Sequence, residues 1–152
     1  MKEYAKRYAG FLLVIVMLGL ACILFAADGD ETVALTRQTD QRSNWRYPVW
    51  DALVTATWDD DDTGDVTQAI TINGIIQKII LVAPNATNAV TFQLTILDEE
   101  DTVIFDSGEQ AENATYTWSV HEPVTGTIDV VIEPSGALGA TNPDATITLR
   151  GL

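Results

Sequence analysis

The residues that come nearest to carrying chemistry lie in one short acidic stretch. Trp58 is followed by Asp59, Asp60, Asp61, Asp62, Thr63, Gly64 and Asp65. Set against a calcium loop, Asp59, Asp61 and Thr63 take the first, third and fifth places, Gly64 takes the sixth, and Asp65 adds a carboxylate. Alternating oxygens around a sharp glycine turn are what a hard cation such as calcium needs. The twelfth place holds Ile70, where a bidentate glutamate belongs, so the match is partial and competes with a charged loop tip kept in water. A second acidic run, Asp98-Glu99-Glu100-Asp101, reads as a hairpin tip in solvent.

Nothing else in the chain points to catalysis. His121 is the sole histidine and Cys22 the sole cysteine. One imidazole cannot form a histidine metal cluster, and Ser107 and Ser119 lie in no nucleophile-elbow context. Carboxylates are plentiful, but no pair is singled out for acid–base work. The expectation is a protein that is not an enzyme.

The elements that must hold these residues are strands. Val90, Phe92, Leu94 and Ile96 alternate with Thr91, Gln93 and Thr95, then Val103, Ile104 and Phe105 resume after the acidic tip. Side chains alternate faces along a strand, so this hairpin has one oily side and requires a second sheet against it. Trp50 to Trp58, Val66 to Ile72, Tyr116 to Val120, Ile128 to Ile132 and Ile147 to Leu149 keep the same rhythm. Asn73-Gly74 reads as a tight hairpin turn, and Glu122-Pro123 as a break. The run from Ile75 to Ala83 is apolar on both faces, which fits a central strand or one covered by a partner. About eight short strands without helical periodicity predict an antiparallel β-sandwich, jelly-roll or immunoglobulin-like.

Before the domain comes an export segment. Lys2, Lys6 and Arg7 precede an uncharged run from Tyr8 to Ala27. A basic start, an apolar core and small residues at the end describe a signal peptide, and the run is also long enough for a membrane anchor. Leu18 to Cys22 loosely fits a lipobox, and Gly10-Phe11 could be a pilin-type processing site. The organisation predicted is residues 1–27 as signal peptide or anchor, 28–47 as a polar linker or arm, and 48–152 as the sandwich. The location is exported: secreted, periplasmic or membrane-anchored.

The net charge of −14 is unevenly spread, because Lys78 and Arg150 are the only basic residues from Pro48 onward. Such a surface repels phosphates, which disfavours nucleic acid, and membrane contact is expected only through the N-terminal segment. The basic arm, with Arg37, Arg42 and Arg46, could lie on a neighbouring subunit or along its own domain. Trp45, Tyr47, Trp50, Trp58, Tyr116 and Trp118 offer aromatic surface for stacking on a glycan. Since Trp50, Trp58, Tyr116 and Trp118 fall on alternating apolar faces, the expectation is that these fill the core.

From Ala69 to Gly151 the chain contains I-T-I-N-G-I-I-Q-K-I-I-L-V-A-P, F-Q-L-T-I-L-D-E-E-D-T-V-I-F-D-S-G-E, H-E-P-V-T-G-T-I-D-V-V-I and A-T-I-T-L-R-G. This resembles a loose group of small β-sandwich structural proteins of tailed bacteriophages. The resemblance implies a virion component, of decoration, head-fibre or minor tail type, that works by packing against neighbours; protein partners or self-association are expected, and a glycan is the alternative ligand. It carries no catalytic residues. The leading expectation is thus a structural or interaction protein. The alternatives are an extracellular carbohydrate-binding module and a pilin-like filament subunit.

Overall fold

The computed structural model describes residues 31–41, 49–139 and 143–152. The signal-or-anchor segment, Cys22, the Gly10-Phe11 pair, Trp45 and Tyr47 lie outside these residues. No helix among the described residues is long and apolar enough to cross a membrane.

Seven strands form the fold: β1 (Thr32–Gln41), β2 (Val49–Thr57), β3 (Val66–Ala83), β4 (Thr91–Leu97), β5 (Val103–Ala111), β6 (Ala114–Pro134) and β7 (Asp144–Gly151). All pairings are antiparallel, in the order β1-β2-β7-β3-β6-β4-β5. β3 and β6 pair along nearly their whole length, from Val66↔Ile132 to Ala83↔Ala114. The C-terminal part of β3 also pairs with β7, and the C-terminal part of β6 with β4. One layer is therefore β1-β2-β7-β3-β6 and the other β3-β6-β4-β5, with β3 and β6 passing from one to the other. With each long strand divided at the crossing, the neighbours β2-β7-β3-β6 and β3-β6-β4-β5 are those of a jelly roll, not of an immunoglobulin domain.

The crossing explains two departures from the sequence reading. Asn73-Gly74 is not a turn, because β3 runs straight through it. Gly74 is required by packing instead: a Cβ there would meet the Leu152 carbonyl, which accepts hydrogen bonds from Ile75 N at 2.8 Å and Trp50 Nε1 at 3.2 Å. Glu122-Pro123 does not break β6 either, and Pro123 stands opposite Ile75 in the crossing region.

The register shifts between Ile76 and Lys78. Before the shift Val66, Ile70, Ile72 and Ile76 are buried, and after it Ile79, Leu81 and Ala83. A bulge at Gln77 therefore switches the buried parity from even to odd. That switch is why Ile75 to Ala83 looks greasy on both faces.

Of residues 28–47, Thr32–Gln41 is not a linker but an arm lying along its own domain, as strand β1 paired with β2 from Thr32↔Thr57 to Gln41↔Val49. Its polar residues mask the pattern because an edge strand needs only a few apolar contacts, here from Val33 and Leu35 against the core.

Between the layers lie Trp58, Phe92, Leu94, Ile96, Ile79, Leu81, Ile128, Ile132 and Ile147, all essentially excluded from solvent. Trp58, after β2, meets Phe92 of β4 with ring centroids 5.9 Å apart. Leu138, in the loop before β7, plugs one end of this core at 0% exposure. Its carbonyl accepts from Thr87 N and Asn88 N, while Gly139 N donates to Asp60 O. Three loops are thereby tied together over a single buried side chain.

Candidate functional site: an aromatic rim between β5 and β6

Strand β5 edges one layer, and the N-terminal part of β6 edges the other. Both edges lie on the same side of the sandwich. Tyr116 and Trp118 point inward, as their register partners Leu81 and Ile79 do, and Val120 packs against the core with them, but all three are only half-buried because no further strand covers them. Phe105 of β5 closes over them from the opposite layer.

The geometry of the rim is specific. Phe105 and Trp118 meet edge-on, centroids 5.3 Å apart with the rings at 65°. Tyr116 and Trp118 lie nearly parallel, at 21° and 6.0 Å. Tyr116 Oη donates to the Ala111 carbonyl at 3.1 Å, pinning the edge of one layer to the edge of the other. An aromatic ring buried on one face and wet on the other can stack against the C–H face of a sugar, with nearby polar groups reading hydroxyls. Gln110, partly buried beside Ala111, is a polar group on that edge, its amide donating to the Ser107 carbonyl at 2.6 Å.

The shape of β5 keeps the rim open. Asp106 Oδ1 accepts from Gly108 N at 2.8 Å and from Gln93 Nε2 at 2.9 Å. Gly108 has φ +60°, and Leu94 N donates to Ser107 Oγ at 2.8 Å rather than to a backbone carbonyl. This kink interrupts the edge ladder, which discourages another strand from adding there. The two hydrogen bonds, first that from Gly108 and then that from Gln93, hold the Asp106 carboxyl below its ordinary value of 3.8.

On the outer face of β4, β5 and β6, Thr91, Gln93, Glu109, Glu133 and Ser135 line a hollow of about 70 Å³. That is room for a few waters but too little to enclose a sugar ring.

The acidic loop is built differently from a calcium loop. Asp62, at an even place the calcium spacing leaves out, is 3% exposed and accepts from Asp59 N at 2.9 Å. Asp61, Thr63 and Asp65 are exposed, and Asp59 is half-buried. Trp58 Nε1 donates to Gly64 O at 2.9 Å, so the indole shapes the turn. The Glu31 carboxyl covers Gly64, and its Oε2 is buried without a hydrogen-bond partner. Among the described residues no three histidine, cysteine or acidic side chains gather as a metal site. Asp59, Asp61, Thr63 and Asp65 are brought into one loop but not around one point.

The second acidic run is less free than a solvated tip. Asp98 Oδ1 accepts from Glu100 N at 2.9 Å and Thr102 N at 2.8 Å, shaping the turn, with Asp101 at φ +59°. Glu99 reaches across to β6, where its Oε1 accepts from Thr127 N at 2.7 Å over Gly126, whose φ is +96°.

Trp50 and Trp58 fill the core, as their parity predicts, whereas Tyr116 and Trp118 do not fill it completely. Alternation reports which face a side chain takes, not whether a strand lies beyond it. Phe105 carries no signal of its own, since only the approach of the two layers' edges brings it to Trp118.

No family model and no curated protein matches this chain. Among solved structures it is similar to "TmCBM61 in complex with beta-1,4-galactotriose", at 11% identity and TM-score 0.43, over 80% of this chain and 88% of that one. It is also similar to "EclA C-terminal domain; sugar-binding protein", at 13% identity and TM-score 0.41, over 63% and 76%. The tailspike protein 4 domain of bacteriophage CBA120 aligns at 13% identity and TM-score 0.36, over 84% of this chain and 20% of that one. These are distant likenesses of β-sandwich fold, and they single out no family, phage or otherwise.

Proposed function

We propose that the domain is a non-catalytic, exported carbohydrate-binding module that takes a neutral glycan against Phe105, Tyr116 and Trp118. The observation that supports this is the mutual contact of three half-buried aromatic rings where the sandwich is open, with Trp118 central to both contacts. A purely structural role would be served as well by aliphatic residues there. The acidic surface favours neutral over anionic chains, because a uronate or sulfate would meet repulsion on approach.

Titrating the protein with a panel of soluble neutral and anionic polysaccharides while following tryptophan fluorescence tests this. The expected result is a saturable change with at least one neutral glycan, lost in Trp118→Ala, with a melting temperature close to the parent's. No change across the panel, or a response that survives Trp118→Ala, overturns it.

A further inference from the structure

The outer face of the β1-β2-β7-β3-β6 layer holds an arrangement that the rim does not use. Asp51, Arg150, Lys78 and Ser119 form one row across β2, β7, β3 and β6. Lys78 and Arg150 are direct cross-strand partners, and are the only cations from Pro48 onward. Like charges placed opposite each other on neighbouring strands repel. Asp51 stands opposite Arg150 from β2, on the far side of that pair.

Along the same face of β3 lie half-buried Ile80 and then Val82, which is 40% exposed. Val82 is one of two exposed large hydrophobic residues in the described chain. The other is Val103, 56% exposed, at the start of β5. Beside Val103, at the hairpin tip, are the exposed carboxylates of Glu100 and Asp101. Asp98 and Glu99 are occupied in shaping and anchoring that tip. The molecule thus carries an apolar spot flanked by cations on one face and an apolar spot flanked by anions at a hairpin end.

We propose that these two surfaces bind each other between copies of this chain. The Glu100–Val103 tip of one copy docks on the Lys78, Arg150, Ile80 and Val82 face of the next. The contact joins unlike patches, so it is head-to-tail and propagates into rings or filaments instead of stopping at a two-fold dimer. Its polar share is solvent-accessible, so association weakens as salt screens it.

The test is sedimentation velocity of the full-length chain, in a non-ionic detergent that masks the apolar N-terminal run, at low and high salt. The parent is expected to form concentration-dependent oligomers that dissociate at high salt. Lys78→Glu/Arg150→Glu and Glu100→Lys/Asp101→Lys should each weaken association about tenfold or more, and an equimolar mixture of the two variants should restore it. Circular dichroism checks that both variants fold, and the mixture controls for either being damaged. A parent that stays monomeric at all concentrations overturns the proposal. So does association indifferent to both reversals, or a mixture that fails to recover. An acidic partner on the same face would leave the tip variant without effect, which also counts against it. Glycan titration of the same variants should be unchanged, since the rim lies between the layers, so the two proposals fail separately.

Discussion

At the scale of single residues, polar side chains do much of the shaping that a sequence pattern assigns to backbone. Asp106, Asp98, Glu99 and Asp62 each accept a backbone N–H that the strand ladders leave over. In Asp106 the consequence is measurable. Its carboxyl titrates below 3.8, so its contribution to stability is complete above that pH and is lost as pH falls through the lower folded value. Asp106→Asn should therefore lower the melting temperature at neutral pH, where the parent's contribution is complete, and flatten the acid limb so that parent and variant converge at low pH. Thermal melts of parent and variant from pH 2 to 7 check this; parallel profiles would count against it. These roles are not legible from composition, because an aspartate that caps a kink and one that solvates a loop are spelled alike. The calcium spacing at Asp59, Asp61, Thr63 and Asp65 is the same lesson. The buried carboxylate is Asp62, which is held by the amide of Asp59, while the indole of Trp58 shapes the turn through the Gly64 carbonyl.

At the scale of elements, the short strands were legible and the long ones were not. β4 alternates without interruption, and both its core set and its hairpin partner follow from the residues alone. β3 and β6 each serve two layers, and local signals mark their crossing as an end. Asn73-Gly74 has the composition of a turn, yet its glycine exists for the approach of the Leu152 carbonyl. Gly74→Ala should accordingly destabilise the fold by about 1–3 kcal/mol, the usual cost of forcing extra volume into a packed site. The obstacle is backbone and cannot swing aside. Chemical denaturation should show this as a lower midpoint with an unchanged slope, and an unaffected midpoint would refute it. The parity switch at Gln77 was equally hidden, since one extra residue looks like two greasy faces until the register is known.

At the scale of the whole molecule, the fold class was readable because half-apolar strands have few ways to bury themselves. The site was not, because it arises where two strands consecutive in sequence, β5 and β6, enter different layers, which alternation does not report. The loop end of the sandwich shows the same dependence on assembly. Leu138 sits in a stretch of small and polar residues, yet it seals the core while its carbonyl holds two amides of another loop. Leu138→Ala should cost about 2–5 kcal/mol, as for other fully buried leucines. Differential scanning calorimetry can read the fall in melting temperature. A loss below 1 kcal/mol would show that the loop collapses into the vacated space.

The long β3–β6 ladder has a consequence for how the molecule comes apart. A sandwich made of two independent sheets can part along its seam, as a book opens along its spine. Here the spine is itself woven into both covers, so the sheets cannot separate without tearing hydrogen bonds from the two strands that each layer needs. The rim and the opposite face are thus carried on one continuous frame, and a load placed on either is borne by both.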